Sequence, residues 1–277
     1  MYTALCDTHT HSIFSFDGAP DSTVDALCER AIELGLSDLA ITDHCDVNGE
    51  VEELYRIYDH EAAWNEMSAA KEKYKGKLHL SRGLELGQPH QCPAYTKEVL
   101  SRHPYEFVIG SLHNLTEVPD FCMMDFSKVP IPLAAQLFDR TLEEILLLLD
   151  YPVTTLGHLT YQNRYMSIAG MKFDFTSHTD RIAAIFEKLI RRDIALEINV
   201  STLWCGYGFT MPHTELLRLY HDRRPLGGRL VTLGSDAHAP ENLARCIGDG
   251  AELLTDIGFT HAMVMRDGER VFLPLDH

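Results

Sequence analysis

The 277-residue sequence has little positive charge. It contains 24 lysines and arginines against 41 aspartates and glutamates, which gives a formal net charge of −17. Proteins that bind a nucleic-acid backbone or an anionic membrane surface use clustered lysine and arginine side chains. The composition therefore argues against both nucleic acid and membrane as partners.

The sequence also lacks long apolar runs and paired cysteines. The longest purely apolar stretch, ILLLL, is far too short to cross a bilayer, and the first residues lack the basic and apolar regions of a secretory signal. The seven cysteines are odd in number and include no C-x-x-C pair, which argues against a disulfide framework and a zinc–thiolate site. We therefore predict a cytoplasmic protein in which most cysteines fill the core.

What the sequence does contain is an alternation of short β-rich runs with longer stretches of helical period. This alternation is typical of βα units around a parallel sheet, and a chain of this length commonly forms one α/β barrel. We expect one domain over residues 1–277. Strands are predicted near residues 3–8, 38–43, 77–85, 105–112, 153–157, 194–200 and 229–234.

Helices are predicted between these strands. The first has Ser22 as a candidate cap and ends on Gly35. A hairpin that turns at Asp267-Gly268 is predicted near the end of the sequence. The irregular stretch 114–132 is predicted to be a long loop over the strand ends. The predicted helices cover about 22–34, 50–75, 90–101, 133–149, 176–191, 212–223 and 250–257.

Potential metal ligands follow six of the seven predicted strands, at the end where parallel barrels carry their function. A single histidine at such a place is usually a capping or hydrogen-bonding residue, but the repetition favours a metal site. Imidazole and carboxylate without thiolate suit Zn²⁺, Fe²⁺ or Mn²⁺, and a carboxylate can bridge two ions. In chain order these residues are His9, His11, His44, Glu85, His113, His158, Asp236 and His238.

Spacing supports the metal site, because residues i and i+2 on an extended segment project to the same side. His9 with His11, and Asp236 with His238, have this spacing. The other histidines lie mostly in predicted helices, within a strand or at the terminus. We predict that they are solvated or hydrogen-bonded: His60, His79, His90, His103, His178, His213, His221, His261 and His277.

The motifs DTHTHSIFSFDG, ITDH, GLE, GSLH, GH and GSDAH occur in this order between residues 7 and 238. Together they resemble the polymerase and histidinol phosphatase (PHP) family, and the whole chain is similar to its stand-alone histidinol-phosphate phosphatases. The resemblance implies a distorted (β/α)7 barrel that holds three divalent metal ions, zinc, manganese or iron. It implies three ligand sets, which are His9, His11, Glu85 and Asp236; Glu85, His113 and His158; and Asp17, His44 and His238.

The resemblance also implies a reaction, the hydrolysis of a small phosphorylated substrate by a metal-bridging hydroxide. L-Histidinol phosphate, an intermediate of histidine biosynthesis, is the first candidate. Arg164 corresponds to an arginine that follows the strand-five histidine in the phosphatases, and the alternative for it is a surface arginine. Glu197 and Asn199, from the motif EIN after strand six, are candidate substrate contacts at the barrel mouth.

Several alternatives stay open at this point. Asp17, His238 or Asp43 could protonate the leaving alcohol, although strand-end hydrogen bonding is the favoured role for Asp43, as it is for Asp7. The substrate could instead be a nucleotide or a sugar phosphate. A non-catalytic PHP domain within a larger assembly is a third reading, and the sequence predicts no oligomeric state.

Overall fold

Seven parallel strands form the wall of a barrel. The computed structural model describes residues 6–48, 58–172, 174–222 and 230–275. In pairing order the strands are β1 (Cys6–Asp7), β2 (Asp38–Ile41), β4 (His79–Gly87), β5 (Phe107–Ser111), β6 (Thr155–Leu156), β7 (Ala195–Asn199) and β8 (Val231–Gly234). Each overlaps its predicted range. Residues 3–5 and 229 of the predicted first and last strands lie outside the described residues.

The first and last strands meet, which closes the sheet. Thr8 donates its backbone N–H and its hydroxyl to the Leu233 carbonyl at 2.9 and 2.8 Å, and the Asp236 N–H donates to the His9 carbonyl at 2.8 Å. The wall is uneven because β1 and β6 have two residues each, whereas β4 has nine. This is the distorted (β/α)7 barrel that the resemblance implies.

One further strand, β3 (His44–Asp46), is absent from the sequence prediction. β2 pairs with the first part of β4, and β3 then pairs with the second part of the same strand. The break between β2 and β3 falls at residues 42–43. The resulting register places His44 directly beside Glu85.

Helices connect the strands and cover the barrel. Within the described chain no helix is both long enough and apolar enough to span a membrane. Residues 50–57 and 223 of the predicted helices lie outside the described residues. The helices are α1 (Val24–Leu34), α2 (His60–Lys73), α3 (Pro93–Arg102), α4 (Ile131–Leu148), α5 (Tyr161–Ile168), α6 (Thr179–Arg192), α7 (Ser201–Trp204), α8 (Thr214–Asp222) and α9 (Ile247–Ile257). The short helices α5 and α7 are not predicted, because so few residues show no clear period.

The start of α1 differs from the prediction by one residue. Thr23 is the cap, since its hydroxyl accepts the Ala26 N–H at 3.1 Å. Ser22, the predicted cap, instead donates its hydroxyl to the His11 carbonyl at 2.7 Å. At the other end Gly35 has a φ of 76°, the left-handed conformation expected of a glycine that ends a helix.

The predicted terminal hairpin covers the end of the barrel where the strands begin. It consists of β9 (His261–Arg266) and β10 (Glu269–Pro274), with the turn at residues 267–268. The Ser81 hydroxyl donates to the Met265 carbonyl at 2.7 Å, and Arg266 contacts Asp38 at 2.7 Å. Access to the barrel is therefore from the opposite end, where the strands finish.

The stretch 114–132 packs at this open end, as predicted for a loop over the strand ends. It contains two short 3₁₀ turns, Phe121–Met123 and Phe126–Lys128, whose phenylalanines are buried. The Phe121 N–H donates to the His113 carbonyl at 3.1 Å. The loop is thus anchored to the residue that follows β5.

The cysteines only partly follow the prediction that most of them fill the core. All seven are free thiols, and Cys6, Cys28 and Cys45 are buried. The other four are partly or fully exposed because they lie in helix ends and loops rather than in the wall of the barrel.

Candidate metal centre

The predicted strand-end ligands meet at the open end of the barrel. They form four overlapping groups of three side chains, and within each group the potential ligand atoms lie within 4.8 Å of one another. The eight residues therefore make one cluster. The groups are His9, His11 and Asp236; His9, Glu85 and His158; His44, Glu85 and His113; and His11, His44 and His238.

Glu85 lies at the centre of this cluster. Its Oε1 lies 2.8 Å from His158 Nε2 and 3.1 Å from His113 Nε2. Its Oε2 lies 2.9 Å from His44 Nδ1 and 3.2 Å from His9 Nε2. Each oxygen therefore faces at least two imidazoles, which is an arrangement suited to a carboxylate shared between ions.

Asp236 and His11 extend the cluster on the β1–β8 side. Asp236 Oδ1 lies 3.2 Å from His11 Nε2 and 3.6 Å from His9 Nε2. The Asp236 backbone has a φ of 57°, the left-handed region that few residues other than glycine adopt and that aspartate enters more readily than most.

The donor atoms of these residues fit divalent metal ions. The Nε2 atoms of His9 and His11 and the Oε2 atom of Glu85 are buried and make no well-aligned hydrogen bond within the described structure, although they lie within 3.2 Å of one another or of other cluster atoms. Buried polar atoms are costly when they are left unbound. Their nitrogen and oxygen chemistry suits zinc, manganese or iron.

Asp17 lies at the solvent side of the cluster, between two of the histidines. Its Oδ2 is 3.2 Å from His238 Nε2, and its Oδ1 is 3.8 Å from His44 Nε2. The Asp17 side chain is 43% exposed, whereas that of Glu85 is fully buried. The structure thus brings together the third ligand set that the resemblance implies.

The electrostatics of the cluster favour a bound cation. Burial raises the pKa of Glu85, but the charges of His44 and His9 outweigh it and hold that pKa well below its ordinary range. The pKa of Asp236 is also low, because His9 offsets its burial. Burial and the neighbouring imidazoles lower the pKa of His11, whereas nearby carboxylates outweigh burial and raise the pKa values of His9, His44, His113 and His238. Without a metal these four imidazoles therefore hold protons, which a divalent cation would displace. Ionised carboxylates and neutral imidazoles are the forms that bind metal.

Two further carboxylates orient the histidines from behind. Glu197 Oε1 lies 2.6 Å from His9 Nδ1, and Glu197 Oε2 accepts the His158 backbone N–H at 2.7 Å. Asp46 Oδ1 lies 2.8 Å from His113 Nδ1. A metal-bound imidazole usually donates its other N–H to such a group, which fixes the ring orientation. The sequence analysis missed Asp46, although it stands two residues after a predicted ligand in an extended segment.

Glu197 and Asn199, the candidate substrate contacts, lie on β7 beside the metal-ligand cluster. Both side chains are fully buried. Asn199 Nδ2 lies 3.3 Å from Asp236 Oδ2, and Asn199 Oδ1 accepts the Ser201 hydroxyl at 2.6 Å. The two residues share one strand face, as expected, but that face points at the ligands rather than into open space. Both residues therefore hold metal-ligand side chains in place, and their contact with a substrate stays a prediction.

Two glycines leave room for the orienting carboxylates. A Cβ atom on Gly234 would lie 2.5 Å from Glu197 Oε1 and 2.4 Å from His9 Cβ. A Cβ atom on Gly87 would lie 1.6 Å from Asp46 Oδ1. These oxygens are the ones that contact histidine Nδ1 atoms, so any larger residue at either position would displace them.

Asp43 lies behind the cluster, hydrogen-bonded at its strand end as predicted. It accepts the Ser12 N–H at 2.6 Å and the Ser15 hydroxyl at 3.1 Å, and Ser15 Oγ lies 2.9 Å from His11 Nδ1. Asp7 likewise accepts a backbone N–H, that of Ser235, at 2.9 Å.

A cavity of about 340 Å³ opens beside the cluster. Arg164, on α5, lies on its wall rather than on the outer surface of the barrel. The wall also includes Asp120 and Cys122 from the loop and Tyr161 from α5, none of which the sequence analysis identified. Their elements are a short helix and an irregular loop, which carry no periodic signal.

The remaining histidines stay outside the cluster. Within the described chain none of them belongs to a candidate metal group. His90 pairs with Glu144 at 2.9 Å, and His178 pairs with Asp139 at 2.8 Å. His277 lies outside the described residues.

Comparisons with known proteins agree with this geometry. A family model described as PHP domain matches residues 7–201. The chain belongs to the PHP domain family. The "Probable histidinol-phosphatase" of Thermotoga maritima is 29% identical over 268 residues, which cover 96% of this chain and 97% of that protein. The "Histidinol-phosphatase" of Lactococcus lactis subsp. lactis is 25% identical over 281 residues, which cover 96% and 95%.

The fold of this PHP domain is also found in a crystal structure. Histidinol phosphate phosphatase (HisK) from Lactococcus lactis, complexed with zinc, L-histidinol and phosphate, superposes with a TM-score of 0.82 at 21% sequence identity. The match covers 97% of this chain and 99% of that protein. It confirms the distorted barrel.

Glu85→Gln is expected to remove more than half of the bound metal and to abolish hydrolysis. Glutamine keeps the size of the side chain but offers no anionic oxygens to the surrounding imidazoles. Elemental analysis of the dialysed variant, together with a phosphate-release assay, measures both effects.

Glu144→Gln is the matched control, because Glu144 also pairs with a histidine but belongs to no candidate metal group. It should keep wild-type metal content and activity. A Glu85→Gln variant with wild-type metal content would contradict the central position of Glu85.

Gly234→Ala is expected to weaken metal binding by about 10–100-fold. The added Cβ would meet Glu197 Oε1 at 2.5 Å and His9 Cβ at 2.4 Å, and would therefore disturb the contact between Glu197 and His9 Nδ1 that orients the imidazole. Competition between the metal-loaded protein and a chelator of known affinity measures this change.

Gly110→Ala is the control for added volume in a strand. A Cβ there would meet the side chains of Leu148 and Val153 at 2.8 and 2.9 Å, away from the ligands. Glu197→Gln should reproduce the loss of affinity without added volume. Equal metal affinity in both alanine variants would refute the positioning role of Glu197.

Proposed function

We propose that the protein hydrolyses L-histidinol phosphate to L-histidinol and phosphate. Relatives named histidinol-phosphatase align with it over nearly their whole length, and HisK, which shares the fold, was crystallised with L-histidinol and phosphate. The proposal treats residues 1–277 as one phosphoesterase domain of histidine biosynthesis in the cytoplasm.

The observation that carries this proposal is one cavity bounded by both the metal-ligand cluster and Arg164. When bound, divalent ions supply an activated water and offset the negative charge of the phosphoryl oxygens. Three ions, zinc, manganese or iron, exceed the charge of the three carboxylates among their ligands, so the site attracts an anion even in an acidic protein. The proposed ligands are His9, His11, Asp17, His44, Glu85, His113, His158, Asp236 and His238.

Arg164 is proposed to bind the phosphoryl group. Its Nε is buried without a hydrogen-bond partner within the described structure, and its Nη2 lies 3.8 Å from Cys205 Sγ, a weak acceptor. A guanidinium presents its donors in a planar fork that matches two phosphate oxygens. Its place on the cavity wall favours this role over that of a surface arginine.

Asp17 and His238 are proposed to provide the proton for the leaving alcohol. They lie 3.2 Å apart on the cavity wall and are the more exposed members of the cluster. As water adds to phosphorus and the bond from phosphorus to the alcohol oxygen breaks, that oxygen takes a proton from whichever of the two is not bound to an ion through its proton-bearing atom. Asp43, the third candidate, is buried behind Ser15 and is not proposed for this role.

Metal-quantified protein is expected to hydrolyse L-histidinol phosphate with a kcat/KM about tenfold or more above that for glycerol phosphate, a nucleoside monophosphate and a sugar phosphate. Phosphate release across this panel measures the difference. Chelation should abolish the reaction, and zinc or manganese should restore it.

A higher kcat/KM for a sugar phosphate or a nucleotide would replace histidinol phosphate as the substrate. No hydrolysis of any ester by fully metal-loaded protein would favour the non-catalytic reading of the domain.

Arg164→Ala is expected to raise the KM for L-histidinol phosphate about tenfold and to change kcat less, since a charge-assisted contact to the phosphoryl group is lost. Steady-state kinetics separates the two parameters. Arg30→Ala is the control, because Arg30 is an exposed arginine that pairs with Glu33 at 3.1 Å on α1. A KM unchanged from wild type in Arg164→Ala would remove Arg164 from the binding site.

A further inference from the structure

We propose that Asp120 binds the protonated amine of the substrate and thereby selects phosphate monoesters of amino alcohols. This inference rests on the proposed function, because it assigns another part of the same cavity. Asp120 lies in the loop 114–132 and contributes to the cavity wall.

Asp120 is held in a defined position. Its Oδ1 accepts the Cys122 N–H at 2.8 Å, and the next residue, Phe121, donates its N–H to the His113 carbonyl at 3.1 Å. The Tyr161 hydroxyl lies 3.4 Å from the same Oδ1 atom. The loop backbone beside Asp120 is therefore held to the strand end that bears His113, and the carboxylate contacts α5.

Tyr161 sets the spacing between Asp120 and the metal-ligand cluster. Its ring centroid lies 4.9 Å from that of His158 and 5.2 Å from that of His113, while its hydroxyl points to Asp120. The Tyr161 side chain thus contacts both the carboxylate and two histidines of the cluster. A phosphate held at the cluster has this carboxylate within reach of its alcohol portion.

The charge pattern of the cavity wall matches an amino alcohol phosphate. Three carboxylates lie on the described wall, and two of them, Asp17 and Asp236, face cluster histidines at 3.2 Å. Asp120 lies on the loop, contacts Tyr161 and is only 7% exposed. A charge-assisted hydrogen bond is stronger where water is scarce, so an ammonium group gains more from this carboxylate than a neutral hydroxyl does.

The loop contains a second aspartate that also caps a 3₁₀ turn. Asp125 caps the second 3₁₀ turn by accepting the Ser127 N–H at 3.2 Å, as Asp120 caps the first. Asp125, however, is exposed and is not on the cavity wall. Asp125 therefore caps its turn without being buried at the cavity. Asp120 and Asp125 thus form a matched pair for substitution.

The test compares Asp120→Asn with Asp125→Asn in metal-quantified full-length protein. Asparagine keeps an oxygen that can accept the capping N–H but removes the charge. The ratio of kcat/KM for L-histidinol phosphate to that for glycerol phosphate is expected to fall about tenfold or more in Asp120→Asn. Product inhibition by L-histidinol should weaken in the same variant. In Asp125→Asn the ratio should stay at the wild-type value.

Asp120→Ser, which keeps a capping oxygen as well, provides a second variant if Asp120→Asn fails to fold. If the wild type prefers histidinol phosphate and Asp120→Asn keeps the full preference, the inference is overturned and the proposed function stays intact. A wild type without that preference would overturn both. A fall in the ratio that is equal in Asp120→Asn and Asp125→Asn would show a capping effect and would overturn the inference.

Discussion

The open end of this barrel depends on one constraint. Several imidazoles share a single buried carboxylate there. Glu85 Oε1 faces His113 and His158, and its Oε2 faces His44 and His9, all within 3.2 Å. Burying an ionised carboxylate without counter-charge is costly, so these strand ends can meet only around a positive charge. Imidazolium groups can supply it in part, and divalent ions supply it more fully.

Barrel closure and metal binding share the same residues. The Asp236 N–H donates to the His9 carbonyl at 2.8 Å, so the hydrogen bond that joins the first and last strands also brings two ligands of one group together. Gly234 lies at this seam and leaves space for Glu197 against His9. Because the ligands come from both ends of the chain, metal binding stabilises the closed barrel by mass action.

The sequence could predict the barrel and most of the cluster because both follow from periodicity and from the ends of strands. It could not predict β3, because three residues, His44–Asp46, are too few to show a strand pattern. The sequence placed Glu197 on the correct strand face. The position of a residue along the barrel axis, however, decides whether it contacts a metal-ligand residue or a substrate. Asp17 carried no signal in its spacing, since an aspartate before a glycine also suits a turn; only the family resemblance identified it.

The local charges of the cavity also explain how an acidic protein can serve an anionic substrate. The electrostatic field of the net charge of −17 disfavours extended anions such as nucleic acid. Salt screens this field beyond a Debye length of about 10 Å. A small phosphate inside the cavity responds instead to the nearest groups, which are Arg164 and the ions of the cluster. Asp120 on the same wall has the opposite sign. A cavity with separate cationic and anionic parts orients a substrate that carries both charges, and a phosphate without an amine satisfies only one of the two.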